Sequence, residues 1–405
     1  MKVLVVGSGG REHALAWHLS RDGAEVLVAP GNAGVARSAD VHATDVQGLV
    51  ELARRERVNL TLVGPDATLA AGLVDAFGAH GLAAFGPTRS AARLEWSKAW
   101  TKDFLGRHGI PGSPAEVVDS ESGAHAAIAR TGLPVVLKAD GLAAGKGVFV
   151  AITKSDVEDA LDQLFRRKTL GAAAEQVLVE EFLEGAELSV LAFTDGERFS
   201  IMPPARDYKR LLDGDRGPNT GGMGGYTRPS YATPGLLDEV RGRIIQPTLA
   251  GMLAEGHPYR GVLYAGLMIT RDGPRVLEFN SRFGDPECQL IMPLLASSLS
   301  EICAAIADGQ PLPERVRWDE GQTYGVVLAA PGYPEAPELG EPIVGLDEVP
   351  EHVLVFHAGT RRDDSGQFVT AGGRVLTIVG SDRNEVYSTA AAIGFEGKQF
   401  RRDIG

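Results

Sequence analysis

The chain opens on an apolar run, Val3-Leu4-Val5-Val6, that passes through Gly7-Ser8-Gly9-Gly10 into residues with helical spacing. The alternation repeats up to about residue 100. Strand-like Lys2–Val6, Glu25–Ala29, Leu60–Val63 and Ala83–Phe85 are separated by helix-like Arg11–Ser20, Gln47–Arg57 and Ala67–His80. Short β-branched runs divided by helical patterns predict βαβ units and a parallel sheet. A helical region from Ser90 to His108 then meets the breaker-rich Gly109-Ile110-Pro111-Gly112-Ser113-Pro114, so a second domain is expected nearby. Helix 122–131, strands 135–139 and 148–151, helix 155–167, and strands 176–180 and 186–194 predict a small α+β unit. Residues 207–227 are polar and glycine-rich and predict a long surface loop, a kind usually functional or mobile. Helix 234–254, strands 261–269 and 275–279, and helix 299–308 follow. Pro311 and Pro313 predict a linker to a β-rich final segment with strands near 324–330, 353–358 and 373–379 and a helix at 383–393. The class is α/β, divided at 1–101, 102–310 (with a small subdomain at about 115–187) and 311–405.

Composition narrows the function. The 405 residues, at roughly 150 per domain, suggest two or three domains. With 44% hydrophobic and 23% charged residues, a disordered polymer is excluded. A formal charge of -13 argues against a general phosphate-backbone binder and leaves room for a local basic pocket. The 51 glycines come in clusters, as in loops that approach a ligand. Cys288 and Cys303 are no disulfide framework, which favours a reducing compartment. No signal-peptide pattern opens the chain, and no apolar run approaches the roughly 18 residues of a membrane span. The expectation is a cytoplasmic protein with neither membrane nor nucleic-acid partner.

Four stretches carry candidate chemistry. Gly7-Ser8-Gly9-Gly10-Arg11-Glu12-His13 follows a strand and opens a helix, where free N–H groups and the helix dipole could hold a phosphate. Glu12 stands where the dinucleotide fingerprint needs its third glycine, which disfavours a nicotinamide site. Lys138 ends an apolar strand ahead of Asp140–Gly147, whose Gly145, Lys146 and Gly147 could fold over phosphates while Lys138 acts as a point charge on them. The Walker spacing is absent. Val177–Leu183 is a buried-looking strand ending in Glu180 and Glu181, with Glu187 beyond. These carboxylates suit an adenine amino group and ribose hydroxyls, although paired glutamates taken alone are more often a solvated strand end. In Arg275–Glu287, Glu278 and Asn280 lie two apart on a strand, so both oxygens face one side, as Mg²⁺ ligands should. Arg282 could fork onto a carboxylate or phosphate; the plainer reading is a solvated strand edge closed by a Gly-Asp-Pro turn. His13, His257 and His357 lack zinc-ligand spacing and read as structural. The two cysteines read as core or near-site thiols, and Arg361–Asp364 as an exposed turn.

Together these stretches resemble the ATP-grasp superfamily, and within it the phosphoribosylamine–glycine ligases, or glycinamide ribonucleotide synthetases, of purine biosynthesis. The resemblance spans essentially the whole chain. It rests on Gly7–Ala14, Ala29-Pro30-Gly31-Asn32-Ala33-Gly34, Lys138–Gly147, Gly217–Gly224 and, most specifically, Arg282-Phe283-Gly284-Asp285-Pro286-Glu287-Cys288-Gln289. It implies an N-terminal parallel-sheet (pre-ATP-grasp) domain, central ATP-grasp α+β lobes and a β-rich C-terminal domain. It also implies ATP-dependent joining of glycine to 5-phosphoribosylamine through a glycyl phosphate, with no covalent enzyme intermediate. By similarity Lys102 and Lys138 bind phosphates under a 140–147 lid. Glu180, Glu181, the Leu183 backbone and Glu187 take adenine and ribose. Glu278 and Asn280 hold Mg²⁺, with Mn²⁺ as an alternative. Asp207, Arg282 and Asp285 contact substrates, and Gly9, Gly10 and Arg11 approach the ribose phosphate. A monomer acting on small molecules is expected. The chain departs from the family pattern at Asp66, where relatives commonly carry Glu, at Tyr208 for His and at Ser281 for Cys. Tyr264–Met268 offers no acidic metal ligand.

Overall fold

The computed structural model describes residues 1–143 and 147–405; Gly145 and Lys146 lie outside the described residues. Strands β1 (Lys2–Gly7), β2 (Glu25–Pro30), β3 (Leu60–Val63) and β4 (Ala84–Phe85) form a parallel sheet in the order β2-β1-β3-β4. Val3 through Val6 are all fully buried, because helices cover both faces of such a sheet. Val3 and Val5 pack with Leu15 and Leu19 of helix α1 (Gly10–Arg21), while Leu4 and Val6 pack with Leu49 and Leu52 on the other face. The helix expected over 67–80 divides into Asp66–Ala70 and Leu73–Ala79, with Gly72 left-handed (φ 84) between them. The Ser90–His108 stretch likewise contains two helices, Arg93–Trp96 and Lys98–Arg107. Ser97 caps the second by accepting the Trp100 N–H.

A small lobe follows. Strands β5 (Ala115–Val118), β6 (Val135–Ala139), β7 (Val148–Ala151) and β8 (Val177–Glu181) pair antiparallel in the order β5-β8-β6-β7. Its own core joins Val135, Leu137, Val177 and Val179 to Leu161 and Leu164.

The largest sheet begins with β9 (Ala186–Thr194), β10 (Phe199–Ile201) and β11 (Ala205–Asp207). The expected loop over 207–227 is instead built of strands: a hairpin of β12 (Arg210–Leu212) and β13 (Arg216–Asn219), then β14 (Gly224–Thr227). What orders it comes from far along the chain. The fully buried Arg401 side chain pairs with Asp215 (2.7 Å) and Asp403 (2.6 Å), and donates to the Arg210 carbonyl (3.1 Å). Strands β15 (Gly261–Thr270), β16 (Gly273–Asn280), β17 (Tyr324–Ala329) and β18 (Leu354–His357) come next. The small hairpin of β19 (Thr360–Arg362) and β20 (Phe368–Thr370) and then β21 (Arg374–Gly380) complete the strands. The sheet order is β16-β15-β9-β11-β14-β17-β21-β18, with β10 on β9, so the segment after Pro311 and Pro313 is β-rich and continues the central sheet through β14–β17. No helix among the described residues is long and apolar enough to cross a membrane.

Candidate active site

A cleft of about 900 Å³ runs between the small lobe and the central sheet and reaches the N-terminal domain. At one end the register of the small lobe builds a charge cluster. Val136 of β6 faces Glu180 of β8, so Lys138, two residues on, shares a sheet face with Glu180. The Glu180 carboxylate lies 3.1 Å from Lys102 Nζ and 3.0 Å from Lys138 Nζ, and accepts the Ser113 hydroxyl at 2.6 Å. Burial alone would raise the Glu180 carboxyl, but the two lysines outweigh it and hold it below the usual range. Burial pushes Lys102 down to about 8, against the pull of Glu180. Lys138 also donates to the Leu277 carbonyl (3.0 Å). That carbonyl is free because the β15–β16 register shifts between Gly266 and Leu267, leaving Leu277 unpaired, a bulge that re-aims the strand beside the site. Glu181, Leu183 and Glu187 line the same end of the cleft, as does Gly147.

On β16, Glu278 and Asn280 both line the cleft. Burial would raise the Glu278 carboxyl, but Lys209, Lys138, Lys98 and Arg282 hold it down at about 2. Lys209 Nζ stands 3.5 Å from Glu278 and 3.6 Å from Glu187. Asn280 Oδ1 accepts from Arg282 at 3.2 Å. The Arg282 guanidinium also pairs with the buried Glu95 at 2.9 Å, and Glu95 accepts the Ser281 N–H at 2.8 Å. Among the described residues no group of three or more His, Cys, Asp or Glu side chains could hold a metal ion. A permanently charged carboxylate and one amide oxygen suit Mg²⁺, which keeps waters and substrate phosphates as its remaining ligands.

The far end joins the first turn of α1 to the Arg282–Gln289 stretch. Glu12 accepts the Gly9 N–H (2.6 Å) and the Arg11 Nε–H (2.6 Å), so that Gly9 donor, read from sequence as free for a phosphate, is occupied. A Cβ at Gly7 or Gly64 would collide with the Glu12 side chain. Gly9 and Gly10 pack against Asp285 and Gln289 rather than lining the cleft, whereas Arg11 lines it and donates to the Phe283 carbonyl at 3.2 Å. Asp285 is fixed by Gln289 (2.7 Å) and Arg374 (3.2 Å). Asp207, at the end of β11, also lines the cleft, and its Oδ1 is buried without a hydrogen-bond partner.

Sequence reading missed Glu95, Lys98 and Arg374, which carry no local signal. His13 is half-buried, accepts the His357 N–H (2.8 Å) and is pushed down to about 4 by desolvation, so it packs as a neutral ring. Burial pushes both thiols up and leaves them unreactive.

Three family models match the chain: the phosphoribosylglycinamide synthetase N domain over residues 1–95, its ATP-grasp (A) domain over 96–288 and its C domain over 323–405. A phosphoribosylamine–glycine ligase of Xylella fastidiosa is 48% identical, with 100% of this chain and 97% of the relative covered. The trifunctional purine biosynthetic protein adenosine-3 of Gallus gallus is also 48% identical, with 100% of this chain matching 42% of that longer protein. A crystal structure of the Thermotoga maritima phosphoribosylamine–glycine ligase superposes with a TM-score of 0.85 at 37% identity, covering 100% of both chains.

Proposed function

The chain belongs to the phosphoribosylglycinamide synthetase family, and from that premise we propose that it is the ATP-dependent ligase joining glycine to 5-phosphoribosylamine. The products are glycinamide ribonucleotide, ADP and phosphate. The observation that carries the reading is the convergence of Lys102, Lys138, Glu278, Asn280, Arg282 and Asp285 on one cleft. Glycine's carboxylate is a poor electrophile. Transfer of the γ-phosphoryl group to it makes a glycyl phosphate and releases ADP. The phosphoribosylamine nitrogen then attacks the acyl carbon, phosphate departs, and the nitrogen loses a proton.

Each group of residues has a part. Lys102 and Lys138 are held in place by Glu180 and meet the nucleotide phosphates as fixed charges, stabilising charge that moves during transfer. Glu181, the Leu183 backbone and Glu187 hold adenine and ribose beside Glu180. Glu278 and Asn280 would hold Mg²⁺ or Mn²⁺, which neutralises phosphate charge when bound. Arg282, fixed by Glu95, and Asp207 and Asp285 orient the reacting groups, while Arg11, the member of the Gly9-Gly10-Arg11 turn that lines the cleft, serves the ribose phosphate. No enzyme nucleophile is needed, which agrees with the buried, unreactive Cys288. The same reading makes the protein a cytoplasmic monomer, checked by sedimentation.

The test is phosphate release from ATP with glycine and freshly made phosphoribosylamine, separately and together. Release should require both. Equal turnover with bicarbonate or another amino acid in place of glycine would overturn the assignment.

A further inference from the structure

The Gly31–Gly34 loop does not line the cleft, yet it is wedged between the start of α1 and the end of β18. A Cβ on Gly34 would stand 2.6 Å from both His13 Cε1 and His357 Cγ, so only glycine passes between the two rings. His357 turns both of its main-chain groups toward the N-terminal domain. Its N–H donates to His13 Nδ1 (2.8 Å), and its carbonyl accepts from Asn32 Nδ2 (2.8 Å). Asn32 uses its whole amide. Oδ1 accepts the Gly34 N–H at 2.9 Å, while Nδ2 also donates to the Ser8 carbonyl at 2.8 Å, with the Gly9 carbonyl at 3.4 Å beside it. The Ser8 carbonyl shares a planar peptide with the Gly9 N–H, and a trans peptide points the two in opposite directions. Asn32 therefore holds one side of that plane while Glu12 Oε2 holds the other, accepting the Gly9 N–H at 2.6 Å. The second Glu12 oxygen accepts the Arg11 Nε–H, also at 2.6 Å. A continuous path of hydrogen bonds thus runs from β18 through Asn32 and Glu12 to Arg11 in the cleft wall.

We infer that Asn32 is a positioning residue for Arg11, and that through it β18 of the C-terminal segment sets the aim of the guanidinium that receives the ribose phosphate. The inference rests on the ligase reading above, which gives Arg11 that role. Here the amide supplies two donors and an acceptor at once; aspartate, of the same shape, would turn an oxygen on the Ser8 and His357 carbonyls instead. The Ser8–Gly9 peptide would then lose its hold, Glu12 would move with the Gly9 N–H, and Arg11 would lose the fixed partner of its Nε. A guanidinium held before the ligand arrives has less side-chain freedom to lose on binding. Lys102, Lys138 and Glu278 take their partners elsewhere, so nucleotide binding stands apart from this path.

The experiment is calorimetric titration of ribose 5-phosphate into the full chain saturated with Mg²⁺ and a non-hydrolysable ATP analogue, beside steady-state kinetics with freshly made phosphoribosylamine. Asn32→Asp should weaken ribose 5-phosphate about tenfold, raise KM for phosphoribosylamine by a similar factor, and leave kcat within about threefold and the analogue within about twofold. Asn32→Ala admits water to the freed carbonyls, should weaken ribose 5-phosphate about three- to fivefold, and carries the test if Asn32→Asp does not fold. In an Arg11→Met background neither change should weaken ribose 5-phosphate further, because Asn32 acts through Arg11. Asp382→Ala, which removes the cap of the Arg383–Ala392 helix in the same C-terminal segment, should lower the melting temperature with ribose 5-phosphate affinity intact. Unchanged ribose 5-phosphate affinity in both Asn32 variants would overturn the inference. So would a loss that persists in full without Arg11, an equal loss of analogue affinity, or an equal effect of Asp382→Ala, since each would make Asn32 a support for the fold at large or a contact in its own right. If phosphate release by the wild-type protein does not require phosphoribosylamine, the ligase reading has failed and this inference with it, an outcome read on the unmutated chain alone.

Discussion

Lys102 shows how one buried charge links pH to both binding and stability. Burial holds its ammonium at about 8 instead of 10.5. In the role proposed for Lys102, nucleotide phosphates bind the charged form, so affinity for an ATP analogue should fall as pH rises above about 8. Stability should move the other way. Between about 8 and 10.5 the unfolded chain binds the proton that the folded chain has released, so this group's contribution to stability rises with pH across that window. Lys102→Met should flatten both slopes, measured by analogue titration and urea melts at pH 7 and 9; an unchanged binding slope would mean another group titrates. Glu278→Gln should lose most activity at every Mg²⁺ concentration while the melting temperature moves by only a few degrees, since Glu278 lines an open cleft. Near-wild-type activity would remove Glu278 from the metal site. At this scale Lys138, Glu180, Glu278, Asn280 and Arg282 were readable because each stands in a short stretch where residue type and spacing carry the chemistry. Glu95 was not: its hydrogen bond to the Ser281 N–H spans 186 residues, and nothing around it locally marks it.

The first turn of α1 works as an element. Its glycines are spaced as if to cradle a phosphate, but Glu12 folds back over them, caps Gly9 and requires bare backbone at Gly7 and Gly64. Gly64→Ala should push the Glu12 carboxylate aside, leave the Gly9 N–H unsatisfied and cost about 1–3 kcal/mol. A urea midpoint lowered at constant slope would show it, together with a raised KM for phosphoribosylamine and unchanged ATP-analogue affinity. Wild-type stability would mean that Glu12 relaxes freely. The same contrast between local pattern and long-range constraint explains the secondary structure. Strands β1, β6, β7 and β9 follow from their own apolar runs. Residues 210–219 read as loop because their order comes from Arg401 and Asp403, almost two hundred residues away.

At the scale of the molecule, the sheet does not respect the proline-marked linker. Gly224 of β14 pairs with Val326 of β17, and β21 carries the C-terminal segment back to the cleft. Arg374, the first residue of β21, delivers that contact. It donates to the carbonyls of Gly221 (2.5 Å) and Asp285 (2.8 Å) and pairs with the Asp285 carboxylate (3.2 Å). Burial would raise the Asp285 carboxyl, but Arg374 and Arg11 outweigh it and hold it below its ordinary 3.8. A depressed carboxyl contributes stability that is fully present above its ordinary value and is lost as pH falls through the folded one. Arg374→Met leaves the half-buried Asp285 without its nearest cation, at a cost of about 1–3 kcal/mol near neutral pH. The deficit should shrink as pH falls below about 4, where Asp285 is neutral in the unfolded chain and becomes neutral in the folded variant as well. Urea denaturation of both proteins at pH 7 and at successively lower pH measures it. A deficit that stays constant with pH would mean that Arg374 joins the C-terminal segment to the cleft by packing and its two carbonyl contacts, with no ionic part.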